Sequence, residues 1–585
     1  MLSSLSLWML AAALGQAPAP AEAPAPPAWL KAIPADVDAA VRIRGVDAAH
    51  ADVSAMLKAF SPALAERAEP ALSQGLGSLR HQFGDGAVTT PWVGLLRLEG
   101  AEAASWSLAI LVLEGEQANV LASINGGKAP ELKEEGGGVS SFEHTGTGKL
   151  YSAKGPGCVA FGTDKSLIAA IAKPAEKALD SVLTPAQAAQ LLKGDVGLYV
   201  NANALVKRYW ERIDGVRQGL MAALDQAGQQ AGNAGSMEAA KDIYNALFDA
   251  LKDADALVLN VDAAAEGLTL GGVITAKPDS KSAEGFAKLS AGPADGLAKL
   301  PADAAYFLYM NIDSSTLDRL MNSNLRMMNS GEKPTPEQAE ALAKLATFGR
   351  VEALGSVKMA GGMGVLNVTR VGDPAGYIEA SKAVQRSFKA GGAKGLIKDI
   401  TSEPVAEPFR GIPLTHVVTK LDIDRFVEQA ASNRPAAEML RSMFPGGETN
   451  SWIGTDGTLV FQATAATWDE ARALIGSYLD GKLGIGESAS FKQVRAGLPE
   501  KANIAFLMSA QGFTSLIANS LAAALSRPEL KPGELPSEPA VFGFATTPAA
   551  PHGVEFRAVV PAAVGPVFEK GLVPLFGAMR PPANN

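Results

Sequence analysis

At 585 residues, 47% hydrophobic and 19% charged, the chain is too long for one ordinary core and too apolar for wholesale disorder. Its net charge of −9 comes with no long Lys/Arg run, which argues against a nucleic-acid partner because phosphate binding needs concentrated positive charge. The single cysteine, Cys158, excludes a disulfide within the chain and any Cys-based zinc site.

Residues 5–14 are a short apolar core ending in small residues, with Ala13 and Gly15 at −3 and −1 of a cut before Gln16. That is the pattern of a secretory signal peptide, although no Lys or Arg precedes the core, and a cut after Ala17 fits nearly as well. A retained anchor is the weaker reading, since about ten to fourteen apolar residues span a bilayer poorly. Residues 18–29 are rich in Ala and Pro and read as an extended linker. We therefore expect a signal peptide at 1–17, a linker at 18–29 and a mature start between Gln16 and Pro24. The chain is then periplasmic or extracellular, with no stable membrane span after cleavage.

One pattern then recurs four times: a polar or Pro-containing entry, a short alternating strand, a breaker and an amphipathic helix. The entries are Ile33-Pro34-Ala35-Asp36, Lys193-Gly194-Asp195, Leu300-Pro301-Ala302-Asp303 and Leu498-Pro499-Glu500. Their strands carry Val41/Ile43, Val196/Leu198/Val200, Ala305/Phe307/Tyr309 and Ile504/Phe506/Met508, the period of a sheet with one face on a core. Asp47, Asn203 and Asp313 are the expected helix N-caps. Each helix leads to a strand pair and another helix, giving β-α-β-β-α per copy.

Between the first and second copies, Gly157-Cys158-Val159-Ala160-Phe161 leads into a helix at 166–172. Between the third and fourth, Gly457-Thr458-Leu459-Val460-Phe461 leads into a helix at 468–479 with the same Gly and Phe spacing. This predicts a tandem duplication of a unit of about 270 residues. The expected fold is α+β: two tandemly duplicated lobes, 30–298 and 299–580, of antiparallel sheets with helices packed on one face.

The chemistry-bearing motifs fail. Thr145-Gly146-Thr147-Gly148-Lys149-Leu150 has Glu143 and Leu150 where a phosphate loop needs Gly and a hydroxyl, so it reads as a hairpin turn. Gly75-Leu76-Gly77 lacks the third glycine at Arg80. None of His50, His81, His144, His416 and His552 has another histidine at metal-pair spacing, and His416 reads as a partly exposed strand residue. Asp36/Asp38, Asp253/Asp255 and Asp422/Asp424 flank element ends, where Asp serves as cap and turn residue. Cys158 lies in an apolar strand and reads as a buried structural thiol. Residues 504–526 carry no charge, yet their period changes near Gln511, so they read as a strand feeding an uncharged helix. No catalytic residue, metal or cofactor is expected.

Leu300-Pro301-Ala302-Asp303-Ala304-Ala305-Tyr306-Phe307-Leu308 resembles the recurring module of exported bacterial proteins of unknown function. The resemblance implies an envelope location and no catalytic residues. The leading expectation is a non-catalytic binding or scaffold protein of the cell envelope, partnered by an envelope protein or an apolar ligand. A carrier of lipid or another apolar ligand is the alternative, and a hydrolase with a dispersed site is third. The expected groove comprises Met321, Met327 and Met328 together with Phe513, Leu516, Ile517 and Leu521, since flexible methionines and a helix without a charged face suit varied apolar shapes.

Overall fold

The structure is a computed structural model. It describes residues 26–98, 106–113, 115–144, 146–173, 177–230, 234–316, 334–359, 363–387, 397–424, 444, 446–482, 484–524, 527, 531 and 533–578.

Among the described residues, ten strands lie in the first half: β1 (Ala39–Ile43), β2 (Trp92–Leu98), β3 (Trp106–Val112), β4 (Lys133–Gly136), β5 (Val139–His144), β6 (Gly148–Gly155), β7 (Cys158–Gly162), β8 (Val196–Val200), β9 (Ala254–Ala264) and β10 (Gly267–Ala276). Ten follow in the second: β11 (Tyr306–Asp313), β12 (Arg350–Lys358), β13 (Gly364–Arg370), β14 (Ile397–Pro404), β15 (Leu414–Leu421), β16 (Glu448–Thr455), β17 (Leu459–Ala465), β18 (Ile504–Ser509), β19 (Val541–Ala549) and β20 (Gly553–Pro561). Hydrogen bonding orders the first set β4-β5-β6-β7-β3-β2-β1-β8-β9-β10, every pair antiparallel. The second set is ordered β14-β15-β16-β17-β13-β12-β11-β18-β19-β20, which is the same connectivity. Antiparallel pairing of β10 with β20 joins the halves into one sheet. The Cys158 strand and the Leu459 strand hold corresponding places, each beside the third strand of its half.

The repetition extends to single contacts. The amide of Asn201, after β8, donates to the Asp38 carbonyl before β1, and that of Arg44, after β1, donates to the Asp195 carbonyl before β8. Ser509 to Ala305 and Asn311 to Asn503 repeat this pair of bonds in the second half. Gly194 precedes β8 at φ +70, and a Cβ there would meet the Val261 carbonyl at 2.6 Å, so the entry requires glycine.

One face of the sheet carries the packed cores. Leu30, Ile33, Leu95, Leu111, Ile168, Tyr199 and Val258 fill the first, and Leu300, Phe307, Tyr309, Phe461, Ile475 and Leu507 the second. Each such side chain contributes roughly 1.5–3 kcal/mol through removal from water. Helices Lys165–Ala172 and Pro185–Leu192 cover the first core, and Trp468–Asp480 and Ala489–Gly497 the second. Trp29, placed in the linker by its Pro-rich neighbours, is instead buried in the first core, on a 3₁₀ turn at Ala28–Ala32. Where the halves meet, Gln190 donates to Glu555 at 2.8 Å, and Arg557 bonds both Glu555 at 3.0 Å and the Gly497 carbonyl at 3.2 Å.

Two helical hairpins rise after β1 and β8: Val46–Phe60 with Pro62–Thr89, and Ala202–Gln230 with Ala234–Asp253. The longest helix has 29 residues, about 43 Å at 1.5 Å per residue. Two expected caps are corrected. The first helix starts from Gly45 with no side-chain cap, and Asp47 sits in its first turn paired to Arg80 at 2.8 Å. Asn201, not Asn203, caps the 29-residue helix by accepting from the Ala204 amide at 3.0 Å. Asp313 does accept from the Ser315 amide, at 2.9 Å.

Candidate functional site

Directly opposed residues in an antiparallel pair share a face of the sheet, so the registers trace its second face strand by strand. One row runs Ile43, Val196, Val261, Leu270, Ala558, Phe544, Phe506 and Leu308, across eight adjacent strands. At about 4.8 Å per strand the row is roughly 34 Å long, and no residue in it is polar. None is fully buried. Val261 and Leu270 are 36% and 37% exposed, as are Ile274 (40%) and Leu108 (37%) on the same face. Phe544 stacks on Phe556 at 6.2 Å, and Tyr306 on Phe506 at 6.0 Å.

Cover on this face is partial. Phe60, Phe513 and Phe568, from three helices, gather over Phe542 and Val560. Ring centroids lie 6.4 Å apart for Phe60 and Phe568, 5.7 Å for Phe513 and Phe568, and 6.0 Å for Phe513 and Phe542. The Ala234–Asp253 helix adds an exposed stripe of its own, Tyr244, Leu247 and Leu251, spaced along one side.

The expected groove residues are partly brought here. Phe513 joins the aromatic group over Phe542, while Leu516, Ile517 and Leu521 stay half-buried along the Ala510–Ala524 helix. That helix buries Ala510, Thr514 and Ala518, which are four residues apart; Thr514 meets the Gly565–Ala578 helix where a Cβ on Gly571 would lie 2.3 Å from its methyl. Met321, Met327 and Met328 lie outside the described residues.

A cavity of about 830 Å³ opens elsewhere, in the second half. Its walls come from the Pro301–Asp303 entry, the starts and ends of β12, β13 and β17, the Trp468–Asp480 helix, the turn at Gly484–Ser488 and the Glu538–Pro539 segment. No histidine lines it. Sequence reasoning missed it because six separate stretches of chain, from 301–303 to 538–539, supply its described walls. The apolar second face left a clearer trace: β9 carries Leu257, Leu259 and Val261 on one phase and Ala256 and Val258 on the other, where a half-solvated strand would alternate with polar residues.

The Asp pairs and several of the histidines singled out in the sequence sit in structural contacts. Asp38, 1% exposed, pairs with Arg208 at 2.8 Å and accepts from the Leu98 amide at 2.6 Å; Asp36 pairs with Arg97 at 3.0 Å. Asp195 accepts from the Ala263 amide at 2.9 Å, and its other oxygen lies 2.8 Å from Arg44 but out of line for a hydrogen bond. Burial pushes the Asp195 carboxyl above its ordinary range. Asp253 caps a turn through Ser282 at 3.0 Å, Asp255 meets Asn203 at 3.4 Å, and Asp422 lies 3.6 Å from Lys398. His416 is half-buried on β15, stacked 4.6 Å from Trp452. His144 closes its hairpin by accepting from the Gly146 and Thr147 amides, both at 3.2 Å. Among the described residues, no His/Cys/Asp/Glu group could hold a metal ion, and no helix is long and apolar enough to cross a membrane.

Comparison with known protein families, curated proteins and solved structures finds no match for this chain.

Proposed function

We propose that this is an exported, non-catalytic binding protein of the bacterial cell envelope, and that what it binds is an apolar chain held against the second face of the sheet. The observation that carries this reading is the eight-strand row from Ile43 to Leu308, apolar throughout and buried at none of its positions. Exposed apolar area of that extent is costly in water unless something covers it, and contiguous patches of this kind mark ligand or partner sites. The absence of polar groups in the row favours a fatty-acyl chain, which needs none, over a protein segment, whose backbone does. Export rests on the N-terminal pattern and on the resemblance to envelope modules. The repeated strand connectivity supports an origin by tandem duplication.

Leu270→Asp and Ile274→Asp test the reading, because both side chains are over a third exposed and neither supports a core. Each should weaken binding of a fluorescent fatty-acid analogue about tenfold, roughly 1.4 kcal/mol, with the melting temperature little changed. Wild-type protein that binds no such analogue would remove the proposal.

A further inference from the structure

The second-half cavity differs in chemistry from the sheet face. Among the described residues, its floor is apolar, from Pro301, Ala302, Met363, Leu474 and Pro539, and its charged residues are Asp303, Glu470, Glu487 and Glu538 against Lys358. Lys358 is neutralised by Asp303 at 2.6 Å. Glu470 is the N3 residue of a capping box and accepts from the Ala466 and Thr467 amides at 3.1 and 3.2 Å. Glu487 has Lys492 at 3.7 Å, outside the walls. Among the described residues the cavity is therefore net negative, with exposed carboxylates at its rim around an apolar floor.

The corresponding place in the first half is built differently. The entry carboxylate itself pairs alike in both halves, Asp36 with Arg97 at the end of β2 at 3.0 Å and Asp303 with Lys358 at the end of β12; the difference lies in the covering helix. The helix after β7 has 8 residues, against 13 for the Trp468–Asp480 helix, whose added length brings Ser477 into the wall. The cavity thus lies in one copy of a repeated connectivity, whose counterpart carries the shorter helix.

We infer that this cavity binds a small organic cation, an amine or quaternary ammonium joined to an apolar body. About 830 Å³ lies within the roughly 300–1,000 Å³ of small-molecule sites. An apolar body fits the Pro301, Met363 and Leu474 floor, and the carboxylates supply the counter-charge. The same field repels carboxylates and phosphates, so free fatty acids are excluded from this site.

The test is equilibrium dialysis of the full mature chain with 4-phenylbutylamine and 4-phenylbutyrate, which share a body and differ in head charge. The amine should bind at least about tenfold more tightly, the size of one moderately screened charge contact. The double variant Glu487→Gln/Glu538→Gln should reduce amine affinity by about the same factor. Ala473→Arg, at an exposed helix position lining the cavity, should abolish amine binding without lowering the melting temperature. Equal binding of amine and acid would overturn the inference, as would amine binding indifferent to Ala473→Arg. Leu270→Asp separates this site from the proposed acyl-chain face, because it should leave amine binding unchanged.

Discussion

Asp38 and Asp195 stand at corresponding entries to β1 and β8, and each meets an arginine from the far side: Arg208 at 2.8 Å and Arg44 at 2.8 Å. In the second half these places hold Ala305 and Asn503, with the same backbone bonds around them. The carboxylates are thus not required by the strand geometry; they tie the roots of the helical hairpins to the sheet. Asp38→Ala removes the partner of Arg208 and an acceptor for the Leu98 amide. The arginine retains some solvent access, so the loss should be about 2–3 kcal/mol, below the cost of breaking a fully buried pair. Chemical denaturation measures it, and a change under about 0.5 kcal/mol, the range of an ordinary surface substitution, would show that the hairpin needs no such tie.

Cys158 gives a pH-dependent prediction. Burial pushes its thiol up from 9.0 to about 11, because the thiolate would lose its hydration inside the first core. A raised pKa means that the neutral form is favoured in the folded state. Its contribution to stability is present below about pH 9 and is lost as pH rises through about 11. At pH 8 a thiol reagent should therefore label Cys158 only as fast as the protein opens. Rapid stoichiometric labelling of native protein at that pH would contradict the placement.

Among the elements, the Ala510–Ala524 helix separates packing from binding along its own length. Ala518 is fully buried beside Leu572, whereas Leu521 is half-buried on the flank. Ala518→Asp should cost several kcal/mol, since a carboxylate would enter a dry helix seam. Leu521→Asp should cost about 1 kcal/mol or less and instead weaken binding of the fatty-acid analogue. Denaturation midpoints in the reverse order would show that the helix is rotated from the placement described.

Much of this level was legible in the sequence. Period-two runs located the strands, and the change of period at Gln511 separated β18 from its helix. The Gly157 and Gly457 segments indicated matching strands because each places buried apolar residues, Val159 and Phe161 in one and Val460 and Phe461 in the other, on a strand paired on both sides. The caps were less legible: Asn203 satisfies the same local rule as Asn201, which in fact caps its helix, and the first helix starts from Gly45, which has no side chain to cap with, while Asp47 pairs with Arg80 and Asn203 meets Asp255. Of the expected groove residues, Phe513 packs against Phe542 of the second face, but sequence could not show that the apolar strands continue that face across both halves. That depends on β10 meeting β20, a pairing of residues nearly 300 apart.

At the scale of the whole molecule, the β10–β20 junction turns two ten-stranded sheets into one and lets the apolar row pass from one half to the other without a break. On the proposed function, an acyl chain lies along that row near the junction. Photocrosslinking with a diazirine-bearing fatty acid, followed by proteolysis and mass spectrometry, tests it most directly. Saturable label should fall on peptides from 254–276 and 541–561, which carry Val261, Leu270, Phe544 and Ala558, and unlabelled fatty acid should displace it. Label confined to the Tyr244–Leu251 stripe or to the Trp468–Asp480 helix, or label that does not saturate, would contradict the account.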